Sequence, residues 1–161
     1  MTEQNAVHEP CTMGVISDTH GLLRPQAVRA LEGSDIIVHA GDIGNHEVLN
    51  VLRSIAPLYA VRGNTDNGPW IKRVPASDTS QYCGFLFHIL HDIARLDLDP
   101  HAAGIHILIS GHSHIPAITR KNGILYLNPG SAGPRRFSLP VTLARITIQG
   151  KELLPEIISL E

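Results

Sequence analysis

Residues that bind metal ions or move protons follow five short apolar segments of this 161-residue chain. They are two aspartates, one asparagine and four histidines: Asp18, His20, Asp42, Asn64, His91, His112 and His114. Imidazole, carboxylate and amide groups are common ligands of divalent metals. One tetrahedral ion takes about four ligands. Seven candidates therefore predict a centre of two ions that share one carboxylate.

The predicted centre has the charge and ligand chemistry of a phosphoester hydrolase. Asp42 is the predicted bridging carboxylate, because it follows the second of the five segments. The mixed nitrogen and oxygen ligands favour manganese, with iron, zinc, nickel or cobalt as alternatives. Two divalent ions outweigh the charges of Asp18 and Asp42, so the centre would attract an anionic phosphate ester. Such ions lower the pKa of bound water to about 7. The predicted nucleophile is therefore a metal-bridging hydroxide and not a protein side chain.

Short strands and two helices are predicted to position these ligands. Apolar strands are expected at 13–17, 35–39, 58–61, 84–90 and 105–109, with helices from 25 to about 33 and over 46–55. Apolar strands that alternate with helices are typical of a largely parallel sheet covered on both faces. Ligands of such sheets bind beyond the carboxyl ends of the strands. The five loops are therefore expected to meet at one edge.

The last third of the chain has a different pattern. Strands at 115–119, 124–127, 141–148 and 156–160 are separated by short turns, which predicts an antiparallel second sheet packed on the first. The stretch 65–82 is predicted to be an irregular loop that borders the site. The length fits a single domain over 1–161 with a loose lead-in over 1–11.

The ligand-bearing segments resemble the calcineurin-like metallophosphoesterase superfamily. The motifs D-x-H, G-D, G-N, a lone histidine and G-H-x-H stand in that order at 18–20, 41–42, 63–64, 91 and 111–114. The short length and the turn at 128–131 are similar to those of the small YfcE-like phosphodiesterases. The resemblance spans about 13–148. It implies an α/β fold of two packed mixed β-sheets flanked by helices, in four αββα layers.

The resemblance also implies a division of the ligands. One metal would be held by Asp18, His20, Asp42 and His114, and the other by Asp42, Asn64, His91 and His112. Asp42, Asn64 and His112 are in addition the candidate catalytic residues. Two positions depart from the family pattern: Thr65 replaces a histidine that protonates the leaving group in many members, and Asp92 replaces a glycine. General acid catalysis contributes about 10²–10⁴-fold, so these departures bear on the substrate class.

A phosphodiesterase is the favoured interpretation, and two alternatives stay open. One is a phosphomonoesterase. The other is a metal-binding scaffold for protein interaction with weak or no turnover, which the missing acid at Thr65 would fit. His39 is interpreted either as a donor to a ligating carboxylate or as a satisfied core histidine. Three arginines are interpreted as solvated charges in preference to phosphate contacts: Arg62, Arg135 and Arg136.

Composition limits the partners and the location. A net charge of −2 without a basic patch predicts a small phosphate-ester substrate and no long nucleic acid. No apolar run reaches the roughly 20 residues of a membrane span, and homo-oligomerisation is left open. Cys11 and Cys83 are the only cysteines and do not form a C-x-x-C pair. Neither a zinc–thiolate site nor a disulfide is predicted, and a reduced cytoplasmic location is expected.

Overall fold

The computed structural model describes residues 9–161, which form ten strands and two α-helices. The strands are β1 Cys11–Ile16, β2 Ile36–His39, β3 Leu58–Ala60, β4 Ser77–Tyr82, β5 Phe85–Leu90, β6 Ile107–Ile109, β7 Ala117–Lys121, β8 Ile124–Asn128, β9 Thr142–Gln149 and β10 Glu152–Ser159. The α-helices are α1 Pro25–Leu31 and α2 His46–Ile55, and two 3₁₀ helices span Pro69–Arg73 and Ile93–Arg95. Most of the predicted lead-in lies outside the described residues.

The strands form two five-stranded mixed sheets. Sheet A has the order β10-β9-β1-β2-β3 and sheet B the order β4-β5-β6-β8-β7. The predicted two-sheet fold is confirmed. The expectation of one parallel sheet that carries all five ligand loops is wrong, because β5 and β6 lie in sheet B. The expectation of a separate antiparallel sheet from the last third of the chain is also wrong, because β8 pairs parallel with β6 in sheet B while β9 pairs with β1 in sheet A. Apolar composition shows that a strand is covered on both faces, but it does not show which strand lies beside it.

The two sheets pack on each other through alternate residues of their strands. Met13 and Val15 of β1 face Phe87 and Ile89 of β5 in a core between the sheets. The opposite face of sheet A packs against α1 and α2, because successive side chains of a strand point to opposite faces of the sheet. The carboxyl ends of the parallel strands of both sheets lie at the same end of this sandwich. These strands are β1, β2 and β3 of sheet A and β5 and β6 of sheet B. In residues 9–161, no helix is long and apolar enough to cross a membrane.

The stretch predicted as an irregular loop contains regular structure. Ser77–Tyr82 forms β4, which pairs antiparallel with β5 at the edge of sheet B. The loop prediction for this segment is wrong because the strand is polar, with the sequence SDTSQY, and alternate side chains are exposed. An edge strand needs little apolar surface, since its backbone hydrogen bonds and one face suffice to hold it.

A disulfide joins the two sheets. Cys11 at the start of β1 is bonded to Cys83 in the turn between β4 and β5, with the two Cα atoms 6.8 Å apart. The prediction of no disulfide is therefore wrong. The two cysteines are 72 positions apart in sequence, and only the packing of sheet A on sheet B brings them together. Both lie at the end of the sandwich opposite the ligand loops.

Loss of this disulfide is expected to lower stability without loss of the site. Closing a loop of 72 residues is worth about 4 kcal/mol in the chain-entropy account, or about 10 °C in melting temperature for a chain of this size. Thermal unfolding with and without dithiothreitol measures the effect. The Cys11→Ser/Cys83→Ser variant is the control, since its melting temperature should be low and insensitive to the reductant. Equal melting temperatures for oxidised wild type and variant would contradict the prediction.

Candidate metal centre

The ligand loops of both sheets converge at one end of the sandwich. His112 Nδ1 and Asn64 Oδ1 lie 3.2 Å apart although they follow strands of different sheets, and the backbone N–H of Gly111 donates to the carbonyl of His91 at 2.9 Å. The predicted convergence therefore occurs, but at the shared end of two sheets. It brings all seven predicted ligands into one neighbourhood.

Five of the seven candidates have a strained backbone. These non-glycine residues have positive φ angles between 47° and 70°: Asp18, His20, Asp42, His112 and His114. Such left-handed conformations cost about 1–3 kcal/mol each and cluster at functional sites. All five lie in the loops that follow β1, β2 and β6.

One group of ligand atoms forms around Asp18, His20 and His114. Asp18 Oδ1 lies 3.2 Å from His114 Nε2 and 3.8 Å from His20 Nε2. The two imidazole Nε2 atoms are 3.5 Å apart. Two nitrogen lone pairs at that distance repel each other unless a proton or a cation lies between them. The three side chains could hold one metal ion.

A second group forms around Asp18, Asp42 and His91. Asp42 Oδ2 lies 3.2 Å from His91 Nε2, and Asp18 Oδ1 lies 3.9 Å from the same nitrogen. Asp42 Oδ2 is also 3.7 Å from His20 Nε2. These three buried side chains could likewise hold an ion. Asp18 belongs to both groups, and the role of Asp42 as the bridge stays a prediction.

Asn64 and His112 lie at the outer rim of the centre. The His112 side chain is 46% exposed, and its Nε2 atom lies 3.9 Å from Asp92 Oδ2. Its ring packs edge-on against the ring of His91 with the centroids 5.1 Å apart. Neither Asn64 nor His112 belongs to the two tight groups. They would be ligands only of an ion that lies closer to the rim.

Neighbouring groups aim the two carboxylates. Asp18 Oδ2 accepts hydrogen bonds from Ser17 Oγ at 2.7 Å and from the backbone N–H of His112 at 3.1 Å. Asp42 Oδ1 accepts from the backbone N–H of Thr65 at 3.0 Å. A β-carbon at Gly63 would collide with the Asp42 carboxylate, so this close approach needs glycine. One oxygen of each carboxylate is thus fixed and the other faces the centre.

Two unpartnered ligand atoms in the centre, Asp18 Oδ1 and His91 Nε2, fit a metal site. Within residues 9–161, Asp18 Oδ1, His91 Nε2 and His114 Nδ1 are buried and have no hydrogen-bond partner. Buried polar atoms without partners are rare and costly. His91 Nδ1 lies 2.8 Å from the carbonyl oxygen of Ala40. Donation to that carbonyl puts the proton on Nδ1 and directs the Nε2 lone pair into the centre. The residues present therefore fit divalent metal ions.

The electrostatics of the centre favour positive charge. Burial lowers the pKa of His91, but the carboxylates of Asp42 and Asp18, at 3.2 Å and 3.9 Å from its Nε2 atom, raise it more, so the net pKa is above the ordinary value. Burial raises the pKa of Asp42, but the nearby His91 imidazole and the hydrogen bond from Thr65 lower it by more, and the net pKa is well below the ordinary value. For His114 the burial effect prevails and the pKa is lowered. The ionised Asp42 carboxylate thus favours a positive charge beside it, either a proton on His91 or a metal cation.

Sequence patterns missed the residues that support the ligands. Asp66 accepts hydrogen bonds from the backbone N–H groups of Ile43, Gly44 and Gly63 at 2.9–3.1 Å. It thereby ties the loop after β2 to the loop after β3. Ser131 Oγ donates to the carbonyl of Asp18 at 3.0 Å. The G-N-T-D spacing places Asp66 near the site, but its backbone partners depend on the fold.

His39 is a satisfied core histidine and not a donor to a carboxylate. The backbone N–H of Gly41 donates to its Nδ1 atom at 3.1 Å, so its proton lies on Nε2, 2.9 Å from Thr19 Oγ1. Thr19 in turn donates to the carbonyl of Ile43 at 2.8 Å. Burial, which excludes the charged form, lowers the pKa of His39 to about 3. This neutral side chain holds β2 against the loop that carries Asp18 and His20.

The neutral His39 is expected to make the protein less stable in mild acid. Below pH 6.5 the unfolded chain binds a proton at this position, while the folded chain does not until about pH 3. The free energy of unfolding should therefore fall by up to about 1.4 kcal/mol per pH unit over that window. Urea unfolding of metal-free protein at pH 7.5 and 5 measures the change. His39→Gln should reduce the difference, whereas the exposed control His101→Gln should not; equal changes in both variants would contradict the assignment.

Comparison with known proteins agrees with this geometry. The family model described as the calcineurin-like phosphoesterase superfamily domain matches residues 12–151. The chain belongs to this superfamily. A probable metallophosphoesterase of Methanothermobacter thermautotrophicus is 34% identical over 158 residues, which cover 91% of each chain. Family membership and the ligand set together indicate divalent metal binding and a phosphoesterase of the hydrolase class.

Solved structures of two phosphoesterases share the fold. An archaeal phosphodiesterase has a TM-score of 0.76 at 21% identity, over 91% of this chain and 99% of that one. YfcE, a phosphoesterase from E. coli, has a TM-score of 0.67 at 19% identity, over 93% of this chain and all of that one. The resemblance noted from the sequence motifs is confirmed.

Proposed function

We propose that this protein hydrolyses phosphodiesters at a two-metal centre held by Asp18, His20, Asp42, Asn64, His91, His112 and His114. The observation that carries the proposal is the pair of ligand groups that share Asp18, with two buried ligand atoms, Asp18 Oδ1 and His91 Nε2, that lack partners in residues 9–161. Two divalent ions, with manganese preferred, would supply an activated water and electrostatic stabilisation of the phosphoryl oxygens. The remaining roles belong to the protein.

The two aspartates set the charge at which the phosphate binds. Both are buried, at most 3% exposed, and both are oriented by fixed donors, so they need not reorganise when substrate arrives. His112 and Asn64 face solvent at the rim. They are placed to contact the phosphate as well as an ion, which is the basis for proposing them, with Asp42, as catalytic residues.

The absence of an acidic proton donor at position 65 shapes the expected substrate range. Thr65 contributes its backbone N–H to Asp42, and its hydroxyl is a poor acid. The leaving alcohol must then depart without a proton from this position. Esters of acidic alcohols are therefore expected to react much faster than alkyl esters.

The test is hydrolysis of bis(p-nitrophenyl) phosphate and p-nitrophenyl phosphate by the same Mn²⁺-loaded sample. A higher kcat/KM for the diester supports the proposal, and a higher value for the monoester assigns a phosphomonoesterase instead. Protein that binds two metal ions but hydrolyses neither ester, nor others in a broad panel, would act as a scaffold. A small phosphate ester is the proposed substrate.

A further inference from the structure

A groove leads away from the rim of the metal centre. Its volume is about 570 Å³, and its inner end is lined by Asn64, His91 and His112. The groove follows β5 back to His88, three residues before His91, which is about 10 Å at the rise of a strand. The volume lies in the range of small-molecule pockets. The groove is therefore long enough for an organic group attached to a phosphate at the centre.

The charges that line the groove are unequally compensated. Asp92 accepts from the backbone N–H of Ala94 and lies 4.0 Å from the guanidinium of Arg95. At the far end, burial lowers the pKa of His88, although the charges of Asp78 and Asp97 act in the opposite direction. Two arginines, Arg62 and Arg95, line the groove. Within residues 9–161, the guanidinium of Arg62 has no carboxylate within 4.0 Å, whereas that of Arg95 lies next to Asp92.

The backbone of a neighbouring segment holds the Arg62 side chain in place. Its Nη1 atom donates to the carbonyl of Val74 at 2.9 Å, and its backbone N–H donates to the carbonyl of Pro75 at 2.8 Å. A guanidinium has five N–H donors, so one hydrogen bond fixes it and leaves others for a ligand. Fixed, charged donors of this kind bind phosphate or carboxylate strongly.

We propose that the groove binds one alcohol arm of the phosphodiester, and that Arg62 selects arms that carry a second anionic group such as a phosphate or a carboxylate. The inference rests on the proposed phosphodiesterase function. It makes Arg62 a specificity-determining residue rather than a solvated charge. The carbonyl of Val74, which accepts from Arg62, lies on the segment before β4 and holds the guanidinium on the groove wall. Within residues 9–161, the guanidinium makes no hydrogen bond or ion pair with the ligands of the centre.

The experiment compares the p-nitrophenyl ester of thymidine 5′-phosphate with the same ester carrying a 3′-phosphate. Both release p-nitrophenolate, so only the second anionic group differs. The wild type should have the lower KM for the 3′-phosphate ester. Arg62→Ala should raise that KM about tenfold and leave the other substrate unchanged, and Arg62→Lys should recover part of the loss. Arg53→Ala, on the exposed side of α2, is the matched control.

Two results would overturn the inference. One is a wild type with equal KM values for the two esters. The other is an Arg62→Ala variant that loses activity equally on both, which would place the guanidinium on the reacting phosphate. Failure of the proposed function gives a different result, namely no hydrolysis of either ester. In that case calorimetric binding of thymidine 3′,5′-bisphosphate and thymidine 5′-phosphate to wild type and Arg62→Ala still decides whether Arg62 recognises the second phosphate.

Discussion

Removal of metal by a chelator is expected to abolish phosphodiester hydrolysis and to lower the melting temperature. Without a cation, the carboxylates of Asp18 and Asp42 face each other's charge, and the Nε2 atoms of His20 and His114 stay 3.5 Å apart. An ion that binds only the folded state at 100 times its Kd adds about 2.7 kcal/mol of stability, or about 5–10 °C. Activity and unfolding are measured on one dialysed sample, together with its metal content.

Readdition of metal provides the control. Mn²⁺ should restore both activity and melting temperature and should do so better than Mg²⁺, because imidazole nitrogen suits the transition metal. The activity should rise with bound metal until two ions per chain are present. Full activity in protein with less than about one ion per ten chains would contradict a metal-dependent mechanism. If the activity saturates at one ion per chain, the two-metal centre is contradicted but the metal-dependent mechanism is not.

Local sequence patterns predicted the elements that have strong apolar periodicity. Helix α2 begins at His46 and ends at Ile55 as predicted, with Asn45 accepting a hydrogen bond from the backbone N–H of Val48 at its start. The apolar strands β2 and β5 lie within one residue of the predicted bounds. These elements bury a continuous face, so their sequence records their structure.

The failed predictions concern features that depend on which elements pack together. The assignment of β5 and β6 to sheet B, the polar edge strand β4 and the Cys11–Cys83 disulfide all arise from tertiary neighbours. None of them leaves a periodic signal. The five ligand motifs still predicted a common site, because strands of either sheet end on the same side. The order of the motifs, rather than the sheet that carries them, was the informative feature.

The same distinction applies to the site. The ligand types and spacing identified Asp18, His20 and His114, but not the groups that orient them. Ser17, Asp66 and Ser131 act through hydrogen bonds to backbone or carboxylate atoms of distant loops. Serine and aspartate after a strand are ordinary turn residues, so their role is visible only from the structure.

Replacement of Asp42 by asparagine is expected to reduce kcat for bis(p-nitrophenyl) phosphate by about 10²–10³-fold with little loss of fold. The asparagine oxygen can still accept from the backbone N–H of Thr65, which Asp42 binds at 3.0 Å. The other carboxylate oxygen, 3.2 Å from His91 Nε2, becomes an uncharged amide group that cannot share two cations. Bound metal should therefore fall by about one ion per chain. Activity, metal content and circular dichroism are measured together.

The control for Asp42→Asn is Glu47→Gln, which removes one negative charge from the exposed first turn of α2. It should leave kcat and metal content unchanged, because only a carboxylate inside the centre can neutralise the ions. The pKa of His91 also distinguishes a local from a general effect: loss of the Asp42 charge should lower it in metal-free protein, since Asp42 is one of the groups that raise it. An Asp42→Asn variant with two bound ions and wild-type kcat would show that Asp18 alone joins the two metal sites. Asp18 belongs to both ligand groups, so the corresponding Asp18→Asn variant would then be the one to lose an ion.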